Sequence, residues 1–94
     1  MIKIKIQRTE LKKTDYGWHI MYEINLTVQE LNKFNPNPLK NISEYQISYN
    51  PPKIHISYDA EILELFENNE NIEDRIALIE ADIDDILWEC LNKN

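Results

Sequence analysis

Trp18-His19-Ile20-Met21-Tyr22-Glu23-Ile24-Asn25-Leu26-Thr27-Val28 decides the fold, because every second residue from Trp18 to Val28 is apolar and those between are mostly polar. A period of two over that length predicts a β-strand with one buried and one open face. Upstream, Ile2, Ile4 and Ile6 alternate with Lys3, Lys5 and Gln7 in the same way. Between the two runs, Thr14-Asp15-Tyr16-Gly17 holds the only glycine of the chain, which predicts a hairpin turn with Gly17 supplying a positive φ.

A second pair of strands follows. Tyr45, Ile47 and Tyr49 alternate on one, Ile54, Ile56 and Tyr58 on the next, and Asn50-Pro51-Pro52 lies between them. Two prolines remove two backbone donors, so this turn is expected to be longer and looser than a two-residue hairpin. The intervening segment 29–40, with Asn35-Pro36-Asn37-Pro38 at its centre, reads as a loop with at most one helical turn over 29–33.

Beyond Tyr58 the period changes. Asp59 is placed to cap a helix over 60–67, on which Ile62, Leu65 and Phe66 share a face. Asn68-Asn69 interrupts it, and Asn71 with Asp74 three residues on forms a capping box for a second helix. The seam of that helix is Ile72, Ile76, Ile79, Ile83, Ile86, Leu87 and Cys90, a stripe ~100° wide at 3.6 residues per turn. Glu73 and Asp74 suit its positive end and Lys93 its negative end. Strand runs followed by helix runs predict an α+β fold: a four-stranded antiparallel sheet of two hairpins, then two C-terminal helices packed on one face. At 94 residues this is one domain over 1–94, with a β part over 1–58 and an acidic helical part over 59–94.

Composition narrows function. The hydrophobic share of 43% lies in the globular range despite a net charge of −7. That charge is unevenly placed: residues 1–40 carry seven Lys/Arg against four Asp/Glu, residues 41–94 three against thirteen. A single cysteine, Cys90, excludes an internal disulfide, and Met1-Ile2-Lys3-Ile4-Lys5-Ile6 alternates where a signal peptide needs a continuous apolar run. A reducing, cytoplasmic setting is expected, with no membrane role.

Familiar chemistry is sparse. One glycine excludes phosphate-cradling loops of the GxGxxG and P-loop kinds, so no nucleotide cofactor is expected. One cysteine and two histidines cannot supply the usual four ligands of structural zinc. Glu80-Ala81-Asp82-Ile83-Asp84-Asp85 is acidic enough for a calcium loop, but it lacks glycine and the isoleucine period runs through it. His19 and His55 fall on the polar parity of their strands, where they could meet beside Glu23 or Ser57; two solvent-facing histidines are the simpler reading. Trp18, Tyr22, Tyr45, Tyr49 and Tyr58 all fall on the apolar parity, leaving no stacking platform for RNA, so with a net charge of −7 no direct nucleic-acid binding is expected. With so few ligands, and with Cys90 on the apolar seam of the second helix, no metal and no catalytic residue are expected either.

The second helix carries the functional expectation. Ala77, Ala81 and Trp88 lie opposite its isoleucine seam, with Glu73, Asp74, Glu80, Asp82, Asp84, Asp85 and Glu89 on the flanks. Two readings stay open for Trp88: core between the sheet and the first helix, or an anchor for another chain. The seven carboxylates span roughly 24 Å of helix, about one per 3.4 Å, close to the phosphate spacing of one DNA strand. In composition the chain resembles the small acidic proteins with which phages and mobile elements block nucleases, such as anti-CRISPR and anti-restriction proteins. The resemblance rests on no motif and brings no residue roles. It implies a non-catalytic inhibitor whose partner is a basic protein such as a nuclease or CRISPR effector, the helix acting as a DNA mimic. An immunity protein or antitoxin facing a basic toxin would use the same physics. The alternative class is a homodimer or larger structural or adaptor assembly joined through Trp88 and the free sheet edges.

Overall fold

A computed structural model of the chain describes residues 4–92. Four strands, β1 (Ile6–Lys13), β2 (Gly17–Asn25), β3 (Gln46–Asn50) and β4 (Lys53–Glu61), form one antiparallel sheet in the order β1-β2-β4-β3. Helices α1 (Val28–Lys33), α2 (Ile62–Glu67) and α3 (Ile72–Asn92) and a 3-10 turn at Asn37–Asn41 complete the fold. The α+β architecture is the expected one, with strands preceding the two C-terminal helices.

The central pair joins the hairpins. β2 and β4 run in unbroken register from Gly17 opposite Glu61 to Asn25 opposite Lys53. That register sets Ile20, Tyr22 and Ile24 beside Tyr58, Ile56 and Ile54 on one face, and Ile47 and Tyr49 of β3 extend it. Against that face α3 lays Ile76, Ile79, Ile83 and Leu87, all buried; Ile72 and Ile86 of the expected seam are partly buried and pack alongside, and Cys90 is buried as well. Trp18, Tyr49 and Tyr58 pack on the same core and Tyr22 and Tyr45 are inside it, as their parity requires.

Several local expectations are corrected. Gly17 has no positive φ. It is needed for close approach instead, because a Cβ there would lie 1.8 Å from the carbonyl oxygen of Ala60 on β4. The Asn50-Pro51-Pro52-Lys53 connection is tight, not loose: Asn50 pairs directly with Lys53, and the Pro51–Pro52 peptide is cis. Asp59 caps no helix, since β4 continues through it to Glu61 and α2 starts at Ile62 without a side-chain cap. The cross-strand pairing of Asp59 with His19 and of Glu61 with Gly17 outweighs the local capping preference, and the helical part begins after residue 61. On α2 only Leu65 is buried; Ile62 and Phe66 are exposed.

The segment after β2 is more ordered than a loop. The strand ends at Asn25, Val28 is exposed, and Thr27 with Glu30 forms a capping box for α1 whose bonds measure 3.1 and 2.8 Å. Leu39 of the 3-10 turn is buried, and the amide of Asn35 donates to the carbonyl of Cys90 at 2.8 Å, satisfying one of the orphan carbonyls at the end of α3. In β1 a bulge between Arg8 and Glu10 shifts the register, so Arg8 lies opposite Tyr22 and Leu11 opposite Ile20. The Ile2 and Lys3 positions of the first alternation, and Lys93 at the helix end, lie outside the described residues.

Candidate functional site

α3 starts as expected. The Asp74 amide donates to Asn71 Oδ1 at 2.8 Å, and the Asn71 amide reaches Asp74 Oδ2 at 3.5 Å. Asp74 is thus part of the helix cap. The remaining carboxylates divide by the direction in which the 100° step sends them. Glu80, on the flank toward β1, accepts the Tyr22 hydroxyl at 3.1 Å and lies 3.5 Å from the Arg8 guanidinium. Asp82, on the flank toward β3, accepts the Tyr45 hydroxyl at 2.9 Å. Tyr22 from β2 and Tyr45 from the residue just before β3 grip the helix on both sides of its isoleucine seam. Burial, then the adjoining carboxylate, raises both phenols well above the ordinary tyrosine range.

Glu73, Asp84, Asp85 and Glu89 point away from the sheet or along its margin. Among the described residues their side chains have no ion-pair or hydrogen-bond partner. Arg75, the one cation within the helix, is engaged elsewhere: it reaches Glu70 at 2.8 Å and Glu64 at 3.3 Å, tying α3 to α2. An open cleft of about 370 Å³ beside the helix is lined by Ile4, Lys5, Ile6, Glu80 and Asp84.

The position of Trp88 is settled by exposure. It is 53% exposed, and Ala77 and Ala81 are exposed beside it, so the outer stripe is not packed under α2. α2 sits instead at the end of the sheet, where the Ile62 amide bonds the Tyr16 carbonyl at 2.8 Å. Leu78, 56% exposed, joins the outer face and was missed by counting only Ala77, Ala81 and Trp88. Its signal in the sequence is the seven-residue step from Leu78 to Asp85, with Ala81 and Trp88 at the same step.

The open face of the sheet differs in kind. His19 and His55 do not meet, being separated by four positions along β2, or ~13 Å. Each lies beside a carboxylate: His19 Nδ1 is 2.5 Å from Asp59 with Glu10 at 3.7 Å on its other nitrogen, and His55 Nε2 is 3.1 Å from Glu23. Lys53 approaches Glu23 at 3.7 Å, and the Ser57 hydroxyl donates to Gln46. Among the described residues no group of three or more His, Cys, Asp or Glu side chains is arranged to hold a metal ion, and no helix is long and apolar enough to cross a membrane.

Comparison of the chain with protein-family models, with curated proteins and with solved structures finds no match in any of the three.

Proposed function

We propose that the chain is a non-catalytic inhibitor that docks the outer face of α3 on a basic, nucleic-acid-binding surface of a client protein, such as a nuclease or CRISPR effector, in the cytoplasm of the cell where the client works. The observation that carries this reading is the half-exposed Trp88 standing among Asp84, Asp85 and Glu89, three carboxylates without partners among the described residues. An exposed tryptophan supplies the desolvated anchor of an interface, and surrounding charge of one sign speeds encounter with the opposite sign. Glu80 and Asp82 add to the field from the flanks while their tyrosine bonds hold the helix in place. Glu73 extends the acidic face toward the start of α3, where Asp74 is occupied by the cap.

Competition tests the reading directly. The chain is titrated into a panel of purified restriction nucleases and CRISPR effectors at increasing salt, with displacement of labelled DNA as the readout. Displacement should weaken steeply with salt, chiefly through slower association. The variant Asp82→Asn, Asp84→Asn, Asp85→Asn, Glu89→Gln should fold and lose displacement. A variant that displaces DNA as well as the wild-type chain at every salt concentration would show that these carboxylates only solubilise the helix.

A further inference from the structure

Leu78, Ala81, Asp85 and Trp88 follow one another at steps of three, four and three residues on the solvent side of α3. At 100° per residue they fall within a stripe ~80° wide, almost opposite the buried isoleucines. Steps of three and four are the spacing with which one helix packs along another, the larger side chains entering gaps on the facing helix. Leu78 and Trp88 are both more than half exposed and stand ~15 Å apart along the axis. Between them Ala81 is small enough to let another backbone come close. Asp85 interrupts the seam with a charge and has no side-chain partner among the described residues.

Two occupants fit that shape. A second copy packed antiparallel would set Leu78 against Trp88 and Ala81 against Asp85 twice over. It would also bring Asp84 and Glu89 against carboxylates of the other copy, with Arg75 already tied to Glu64 and Glu70 and a net charge of −7 on each chain. Like charges facing each other across an interface oppose association. A helix of opposite charge meets the same seam without that cost.

Resting on the proposed docking role of α3, we infer that the outer face of α3 receives an amphipathic, basic α-helix of the partner, laid along the Leu78–Ala81–Asp85–Trp88 seam with a Lys or Arg opposite Asp85. A single polar seam position of this kind fixes register, because any other alignment leaves Asp85 against apolar surface. The partner chemistry is therefore narrower than positive charge alone: apolar residues every three to four positions, flanked by lysine or arginine.

The test uses the full chain and two synthetic peptides of identical composition. One is a three-heptad helix with Leu at its seam positions, one seam Lys and flanking Lys; the other is the same set of residues scrambled to remove the period. Binding is followed by titration calorimetry and by tryptophan emission, in which the part absent from the Trp88→Ala variant, and so separate from Trp18, should shift to shorter wavelength as the indole leaves water. The patterned peptide should bind at least about tenfold more tightly than the scrambled one. Ala81→Gln and Trp88→Ala should each erase that preference, with circular dichroism showing both variants folded. Equal binding of the two peptides, unaffected by Ala81→Gln, would overturn the seam while leaving charge-driven docking of α3 intact. No binding of either peptide would overturn it as well, and DNA displacement from the effectors would then judge the docking role separately. A wild-type chain that sediments as a dimer, and becomes monomeric on Trp88→Ala, would assign the seam to a second copy and overturn the inference.

Discussion

The open face of the sheet and the outer face of α3 both meet solvent, yet they treat charge in opposite ways. On the sheet, Glu23 is shared by His55 and Lys53, and His19 lies between Asp59 and Glu10. On the helix, Asp85 and Glu89 face outward and Asp84 lies half-buried at the margin toward β1, all three with no such companions among the described residues. Cross-strand neighbours lie close enough for opposite charges to pair within one chain, whereas neighbours three and four apart on this stretch of helix are of like sign. A surface that satisfies itself has little to gain from a partner. A surface carrying unpaired charge around an exposed indole gains both encounter rate and a desolvated anchor from one.

The sharpest way to break the comparison is to attack what keeps α3 in its rotation. Ile83 is fully buried beneath the helix, so Ile83→Asp should destabilise by several kcal/mol, about 3–5, measured by urea unfolding. Asp84→Asn, one residue on, half-buried at the margin of the helix and without a side-chain partner among the described residues, should change stability by under about 0.5 kcal/mol. The reverse order would mean that the faces of α3 are exchanged.

Alkali should give a smaller, graded loss. Tyr22, Tyr45 and Tyr58 have phenols raised by burial above the ordinary tyrosine range, and Cys90 is pushed up to about 11, by burial first and Glu89 second. Raised acids hold their protons longer folded than unfolded, so their contribution is intact below the unfolded values, about 8.5 for the thiol and 10 for the phenols, and is lost as pH climbs past them. Urea midpoints should therefore be level from pH 7 to 8 and fall from about pH 9, more steeply above 10. Tyr22→Phe should flatten the upper part of that fall. An unchanged profile would mean that the Tyr22–Glu80 contact does not protect the phenol.

Next in size is the contrast within α3. Glu80→Ala leaves the Tyr22 hydroxyl without its acceptor and should cost about 1–2 kcal/mol, whereas Asp85→Ala should stay within about 0.5 kcal/mol. Equal costs would erase the distinction between gripped and free carboxylates. Trp88→Ala should leave the protein folded with a loss of no more than about 1 kcal/mol by thermal melting, because more than half of the residue's surface is already in water.

How far the sequence could be read follows the range of the interactions. β2, β4 and the isoleucine seam were legible because each announces itself in its own period. Strand order was not, since the β2–β4 register joins residues such as Gly17 and Glu61 that carry no mutual signal along the chain. Asp59 was misread because a strand position opposite His19 looks locally like a helix cap, and α1 was underrated although Thr27 and Glu30 stand at capping-box spacing. The acidic face was visible as composition. Its division into gripped and free carboxylates was not, because the hydroxyls of Tyr22 and Tyr45 arrive from positions 58 and 37 residues away along the chain.

Cys90 has a use that its place in the core makes available. It is wholly buried near the end of α3, its carbonyl fastened by the Asn35 amide, and its thiol is pushed up to about 11. Alkylating reagents need both access and the thiolate, so the native protein should label slowly, at a rate set by how often the last turns of α3 open. The chain therefore carries its own clock for local unfolding of the segment that presents Trp88. A new surface cysteine could also be tagged selectively with the native one left in place, so a reporter can be attached beside the acidic face without altering the core.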